Sequence, residues 1–317
     1  MLSFLLFLLA VAPFMLPLGA VVQYSTLTPL DQAAYDSRVR IKAAAKTIHP
    51  QFFEQADTIG PAHVAYFDLF NKLTATPAST LLTGSYDLVD PDPETPTEAQ
   101  TGITAYERGK IVAYMQAPAT TMKVSLPEAM LRLIETNMGE GLDNAAAYYL
   151  YSALSVWTYG TVNGPLTAEQ VLKNLAELEY RNIPRRAQDL YGAIISPYSK
   201  FDLFDDTDNL KGFVPVSMYA NPALAFNFEL GTWLGFRWAV GSSAYSATVS
   251  SVLYDYPLFF GANAFGQANG YAAQVVVSPG VTGLRRKTEV GWKAQRGYGV
   301  IDTTAVIQNK VQPTNLS

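Results

Sequence analysis

The sequence contains no cysteine. Disulfides, thiolate nucleophiles and Cys-ligated metals are therefore excluded, while the compartment stays open. Histidine is nearly absent too: the 2 residues, His49 and His63, fall on different predicted elements. A histidine-based triad or a three-ligand zinc site would need more. No P-loop or dinucleotide-binding glycine pattern occurs, so no catalytic, metal-binding or cofactor-binding residue is nominated and no enzyme is expected. Charge is also scarce. Asp, Glu, Lys and Arg make up 15% of the 317 residues, against about 25% in ordinary soluble domains. The net charge of -5 argues against a nucleic-acid reader, which carries a concentrated basic footprint. No repeat of fixed period is evident, and the length suffices for one large or two smaller domains with real cores.

Aromatic residues are plentiful instead: 19 Tyr and 16 Phe. Interface cores are depleted of Lys, Glu and Asp and enriched in aromatics, so a subunit covered on several sides would have this composition. Low charge also occurs in secreted monomers. Residues 1–22, MLSFLLFLLAVAPFMLPLGAVV, carry no charged side chain. Hydropathy alone reads them as an export signal or membrane anchor, but no Lys or Arg precedes the apolar run, and Pro13 and Pro17 interrupt a spanning helix. A start at Met15, or an apolar arm buried against a neighbour, are the other readings.

Residues 26–55 are helical in part, with Thr28 as a cap and Pro29 in the first turn, and His49-Pro50 ends the helix. Residues 64–70 and 103–112 are predicted as the two strands of a hairpin with an unusually long tip rich in Thr and Pro. Loops beyond about 15 residues are usually functional or disordered. Asp90, Asp92 and Glu94 in that tip lack the glycine of a calcium loop, so an exposed turn is expected. A long helix follows, with Ser125 as cap, Pro127 in its first turn, and an apolar stripe through Met130, Leu133, Ile134, Met138, Leu142 and Ala145. Thr167 and Gln170 match a capping box for a helix running to about Tyr180. Arg185 and Arg186 read as a surface or interface pair. Residues 191–197 form a short buried strand ended by Pro197, and 198–206 a short helix. The acids Asp202, Asp205, Asp206 and Asp208 read as a charged helix end, again without the pattern of a calcium loop.

The most informative stretch is 202–266. Pro215 within Phe213, Val214 and Val216 marks a sheet edge, because proline donates no ladder hydrogen bond. Glu229 through Val240 is a hairpin pattern, with Gly231 and Gly235 at turn or bulge positions and 236–240 alternating as in a half-buried strand. Taken alone these residues describe an ordinary hairpin.

Set in order, YGAIISP, Asp202-Leu203 with Asp206-Thr207, ELGTWLGFRW, LFFGANAFG and Gly291-Trp292-Lys293 resemble the tailed-bacteriophage major capsid proteins of the Hong Kong 97 (HK97-like) fold, and are most similar to the coliphage N-four branch. The resemblance covers almost all of residues 23–310. It implies an α+β, HK97-like major capsid fold: a leader at 1–22, an N-terminal arm at 23–60, an extended loop hairpin at 61–122, a spine helix and peripheral domain at 123–189, an axial domain at 190–285, and return strands with a tail at 286–317. It implies a structural protein that self-assembles into pentamers and hexamers of an icosahedral shell around double-stranded DNA. Its partners would be itself, portal, scaffolding and decoration proteins, and packaged DNA held non-specifically. No membrane and no cofactor are expected, and the protein would be assembled in the host cytoplasm and reside in the virion. The implied subunit interface includes Tyr66, Phe67, Phe70, Tyr106, Glu107 and Arg108, and the fold-defining turns Gly231, Gly235, Gly261 and Gly266. An encapsulin-like compartment shares the fold. A secreted or membrane-anchored binding protein remains the reading motivated by residues 1–22.

Overall fold

The computed structural model describes residues 47–59, 62–70, 95–115, 126–162, 164–186, 189–205, 213–218, 229–279 and 287–314. The leader, the arm up to residue 46, the acids of the long tip and the cap at Ser125 lie outside the described residues. In chain order the strands are β1 (Glu54–Asp57), β2 (Val64–Phe70), β3 (Glu98–Thr104), β4 (Tyr106–Met115), β5 (Val156–Val162), β6 (Tyr191–Ile195), β7 (Val214–Pro215), β8 (Glu229–Trp233) and β9 (Phe236–Val240). They continue as β10 (Ser246–Val249), β11 (Val252–Asp255), β12 (Leu258–Phe260), β13 (Phe265–Asn269), β14 (Gln274–Pro279), β15 (Lys287–Val300) and β16 (Val306–Val311). The helices are α1 (Leu126–Ala153), α2 (Ala168–Tyr180) and α3 (Pro197–Asp205). The chain divides into two compact units. Glu107–Leu142 and Tyr271–Gln295 belong to one, and Thr47–Tyr106, Asp143–Gly270 and Arg296–Ser317 to the other.

In the first unit β15 pairs with β4 and with β14, setting Val275 opposite Trp292 and Val277 opposite Val290. Strand alternation sends Val290, Trp292 and Ala294 to one face, where Met130, Ile134, Met138 and Leu142 of α1 pack on them. The helical period explains this fit, because residues three and four apart share a face. Leu133, one step off that row, is left exposed, so the packed stripe is narrower than predicted. A side chain at Gly141 would reach the Trp292 ring, whose Nε1 donates to Asn137 Oδ1 at 3.1 Å.

The second unit holds a nine-stranded sheet among the described residues, ordered β10-β11-β16-β12-β6-β9-β8-β7, with β5 also paired to β16. β6 is buried at every position, and lies between β9, which is parallel, and β12, which is antiparallel. Pro197 ends the β6 segment and opens α3. α2 is capped by Thr167, whose side chain accepts from the Gln170 N–H. Pro215 sits on the edge strand β7, where no further strand requires its missing donor. The core of the unit is aromatic: Phe52, Phe236, Trp238, Phe259, Phe260 and Phe265 are fully buried.

Three expectations are corrected. Residues 236–240 do not alternate between core and solvent; Phe236 through Ala239 are all buried. Arg237 points inward because Glu229 meets it at 2.5 Å, with both side chains at most 2% exposed. Second, residues 103–112 are not one hairpin strand. β3 is the partner of β2, in register from Val64–Thr104 to Phe70–Glu98, whereas β4 turns away at the buried Ala105 and joins β15. Third, Asp202 is an internal tie, its carboxylate accepting the Thr314 N–H at 3.1 and 3.2 Å, and is not part of a charged surface.

Candidate subunit interface

The β2–β3 ribbon exposes one face and buries the other. Ala65 and Phe67 join Ile103, Ala105, Ala268 and Ile301 in a small core, and the Phe67 ring approaches to 2.9 Å of where a side chain at Gly266 would begin. Only glycine at 266 lets the ribbon seat itself. On the opposite face Tyr66 is 49% and Phe70 70% exposed, with Asp68 between them accepting from Gln100 Nε2 at 2.7 Å. Among the described residues, these two large apolar side chains on one face of a two-stranded ribbon join no core. Tyr106 follows, 53% exposed and stacked on Tyr149 at 6.5 Å between ring centroids.

The nominated interface residues therefore do not act alike. Tyr66, Phe70 and Tyr106 offer apolar surface, while Phe67 is committed to the core. In the other unit Glu107 accepts a 2.6 Å hydrogen bond from the Tyr271 hydroxyl, which pushes that phenol up to about 12, and Arg108 is half-buried. The Tyr106 ring also lines a cavity of about 280 Å³ with Tyr149, Tyr298 and Thr101–Thr104.

The four glycines nominated as turns each sit where a side chain would collide, but Gly231 lies within β8 and Gly266 within β13, so those two are strand positions and not turns. Gly235 closes the β8–β9 turn with φ +77°, beside Leu234 at φ 48°, and a Cβ there would meet Leu175 Cδ1 at 2.9 Å. Gly231 has φ +153°, follows the register shift in β8, and faces the Val214 carbonyl oxygen of the edge strand across 2.3 Å of would-be Cβ contact. Gly261 abuts Ile183, and Gly266 the ribbon.

Sequence reasoning missed three polar contacts. Arg186 is half-buried. Its guanidinium lies 5.5 Å from the Phe52 ring centroid and 5.6 Å from that of Phe260, and Nη1 donates to the Phe52 carbonyl at 2.9 Å. Arg185 does lie at the surface, paired with Glu179 and Asp189. Asp143 and His49, both fully buried, meet at 3.2 Å, and Glu229 with Arg237 forms the second buried pair. The aromatic residues flanking Arg237, Phe236 and Trp238, and the Glu229-to-Arg237 spacing of eight were the available signals, and nothing local marked Arg186. Among the described residues no group of His, Asp and Glu could hold a metal ion, and no helix is long and apolar enough to cross a membrane.

No family model and no curated protein matches the sequence. Solved structures do. The chain is similar to the capsid of Ralstonia phage GP4 at a TM-score of 0.70 and 11% identity, over 94% of this chain and 100% of that one. It is similar to the head structure of Helicobacter pylori bacteriophage KHP40 at 0.64 and 11%, over 89% and 94%. Cyanophage Pam1 capsid matches at 0.62 and 14%, over 95% and 100%. The fold is the α+β, HK97-like capsid fold.

Proposed function

We propose that the chain is a phage major capsid subunit, a structural protein and not a catalyst. It associates with its own copies as pentamers and hexamers of a closed icosahedral shell around double-stranded DNA. The observation that carries this reading is the ribbon bearing Tyr66 and Phe70: a strand pair held by one buried face presents uncovered apolar groups on the other, in a chain whose fold spans the full length of phage capsid structures. Exposed aromatics at such density mark an association surface.

On this reading the protein is assembled in the host cytoplasm and ends in the virion, with portal, scaffolding and decoration proteins as further partners. The extended loop would be 61–122, the peripheral domain 123–189 with the return strands 286–317, and the axial domain 190–285. The motifs of 191–266 favour the coliphage N-four branch. Shell cohesion then rests on many modest contacts per subunit, closed by symmetry.

Expression of the full chain, with scaffolding protein supplied, and inspection by negative-stain electron microscopy and sedimentation tests this. Closed particles are the expected result, and a persistent monomer at high concentration overturns it. Particles enclosing an enzyme in place of DNA would assign the encapsulin-like reading instead.

A further inference from the structure

Arg186 combines a positive charge, packing against two aromatic rings and, among the described residues, no acidic partner. The side chain lies against the touching rings of Phe52 and Phe260, and its one hydrogen bond among the described residues uses Nη1 on the Phe52 carbonyl. Burial lowers its affinity for a proton, and the nearby Arg237 adds repulsion. Among the described residues no carboxylate pairs with it. The contrast with its neighbours is sharp, since Arg185 is satisfied by Glu179 and Asp189, and Arg237 by Glu229. The guanidinium lines a cavity of about 340 Å³ with Phe53, Glu54, Arg185, Asn263 and Phe265. Glu54 is exposed and makes no ion pair there, so it stands as a competitor at the cavity wall and not as a partner.

A planar fork packed over two aromatic rings and held by one hydrogen bond, with donors to spare, is suited to binding a carboxylate or phosphate through two parallel hydrogen bonds. We propose that this cavity receives an Asp or Glu carboxylate from a second copy of the chain. The proposal rests on the assembly reading above. A second copy is favoured over nucleic acid because the chain is acidic overall, at net charge -5, and because Arg186 beside an Arg185 already paired with Glu179 and Asp189 is not the basic stripe that a phosphate backbone requires. Carboxylates are in ample supply: between Lys72 and Arg108 the sequence carries Asp87, Asp90, Asp92, Glu94, Glu98 and Glu107, and no lysine or arginine. A partner acid arriving here would neutralise a charge that the isolated subunit leaves unbalanced.

The test compares wild type with Arg186→Met, which keeps an unbranched apolar stem against the two rings and removes the fork. Thermal melting reports on folding, and sedimentation across a salt series reports on assembly. The variant should melt within a few degrees of wild type, yet need roughly tenfold more subunit to assemble, with a flatter salt dependence. Glu54→Gln, which removes the competitor, should lower the threshold. Assembly of Arg186→Met at the wild-type threshold and salt dependence would overturn the proposal. Acetate titrated into the unassembled wild-type subunit gives an independent readout by NMR: the Nε–H resonance of Arg186, assigned by its loss in Arg186→Lys, should shift and saturate. No shift would sink the site whether or not the chain forms shells. A shift with no wild-type assembly would sink the shell reading and the second-copy assignment, and leave the carboxylate site standing. A response to duplex DNA but not to acetate would transfer the site to nucleic acid.

Discussion

Asp143, within α1, accepts hydrogen bonds from the backbone N–H groups of Ile48 at 3.0 Å and His49 at 2.9 Å through a single carboxylate oxygen. That same oxygen also lies 3.2 Å from His49 Nδ1. A carboxylate so placed ties the chain entering the described structure at residue 47 to a helix almost a hundred residues later. Burial raises the proton affinity of Asp143, but the hydrogen bonds and charge of His49 outweigh it and leave the carboxyl below its ordinary range.

The sign of the pH effect follows. A carboxyl whose folded value is depressed contributes stability above its unfolded value and loses that contribution as pH falls towards the folded one. Thermal melts should therefore show stability dropping below about pH 4, the ordinary aspartate range. Asp143→Asn should cost about 1–3 kcal/mol at neutral pH, because two buried N–H groups lose a charged acceptor, and its acid limb should be shallower than that of wild type. Equal acid limbs in the two proteins would remove Asp143 as the cause.

The Glu229–Arg237 pair predicts an asymmetry between single and double variants. Both side chains are almost wholly buried, so removing one leaves an uncompensated charge, at a cost of about 3–5 kcal/mol. Glu229→Gln and Arg237→Met should each lower the denaturant midpoint strongly. Combined, they should be far less destabilising than the sum, and an additive result would show that the two charges do not interact.

Much of this architecture was legible because local chemistry and tertiary structure agree. The Thr167 cap, the proline after β6 and the edge position of Pro215 follow from which backbone donors each residue can supply or satisfy. The fold itself came from the order of motifs, not from any single strand. What misled was polarity taken as exposure: Asp202 and Arg237 point inward, satisfied by groups distant in sequence or across a turn, while Arg186 is half-buried with its charge unpaired among the described residues. Pattern also cannot say where a long apolar run breaks between two sheets. Residues 103–112 divide at Ala105, whose N–H makes the last bond to the β2 side, on the His63 carbonyl at 2.8 Å, before β4 takes β15 as its partner; no window around residue 105 contains either contact. For the interface, type and position of the aromatics were readable, but the alternation that exposes Tyr66 and Phe70 and buries Phe67 decides which of them can meet a neighbour.

Gly235 should be intolerant of substitution for two separate reasons. Its φ of +77° disfavours any residue with a Cβ, and that Cβ would press on Leu175. Gly235→Ala should lower stability by about 1–3 kcal/mol, and Gly235→Val by more, because a branched side chain is poorest in this conformation. Shortening the neighbour in Gly235→Ala/Leu175→Ala should recover the contact part of the loss and leave the backbone part. An unchanged melting temperature in Gly235→Val would contradict the turn assignment.

The ribbon separates folding from assembly within one small element, and substitutions on its two faces should diverge. Tyr66→Ser with Phe70→Ser removes exposed apolar groups, so the melting temperature should stay close to wild type, since surface changes are usually within about 0.5 kcal/mol. Shell formation in the same variant should fail or require much higher concentration. Phe67→Ala, on the buried face, should instead destabilise by about 3–5 kcal/mol through the cavity it leaves beside Ile103 and Gly266. A deletion of the long tip has to respect the same register. Removing residues 74–102 would delete most of β3 and expose Ala65 and Phe67, whereas replacing 74–94 with a short Gly-Ser linker keeps every β2–β3 pair. The shorter deletion should give a folded, soluble subunit that forms no shells. Normal particles from it by electron microscopy would confine association to the ribbon face and strike the tip from the interface.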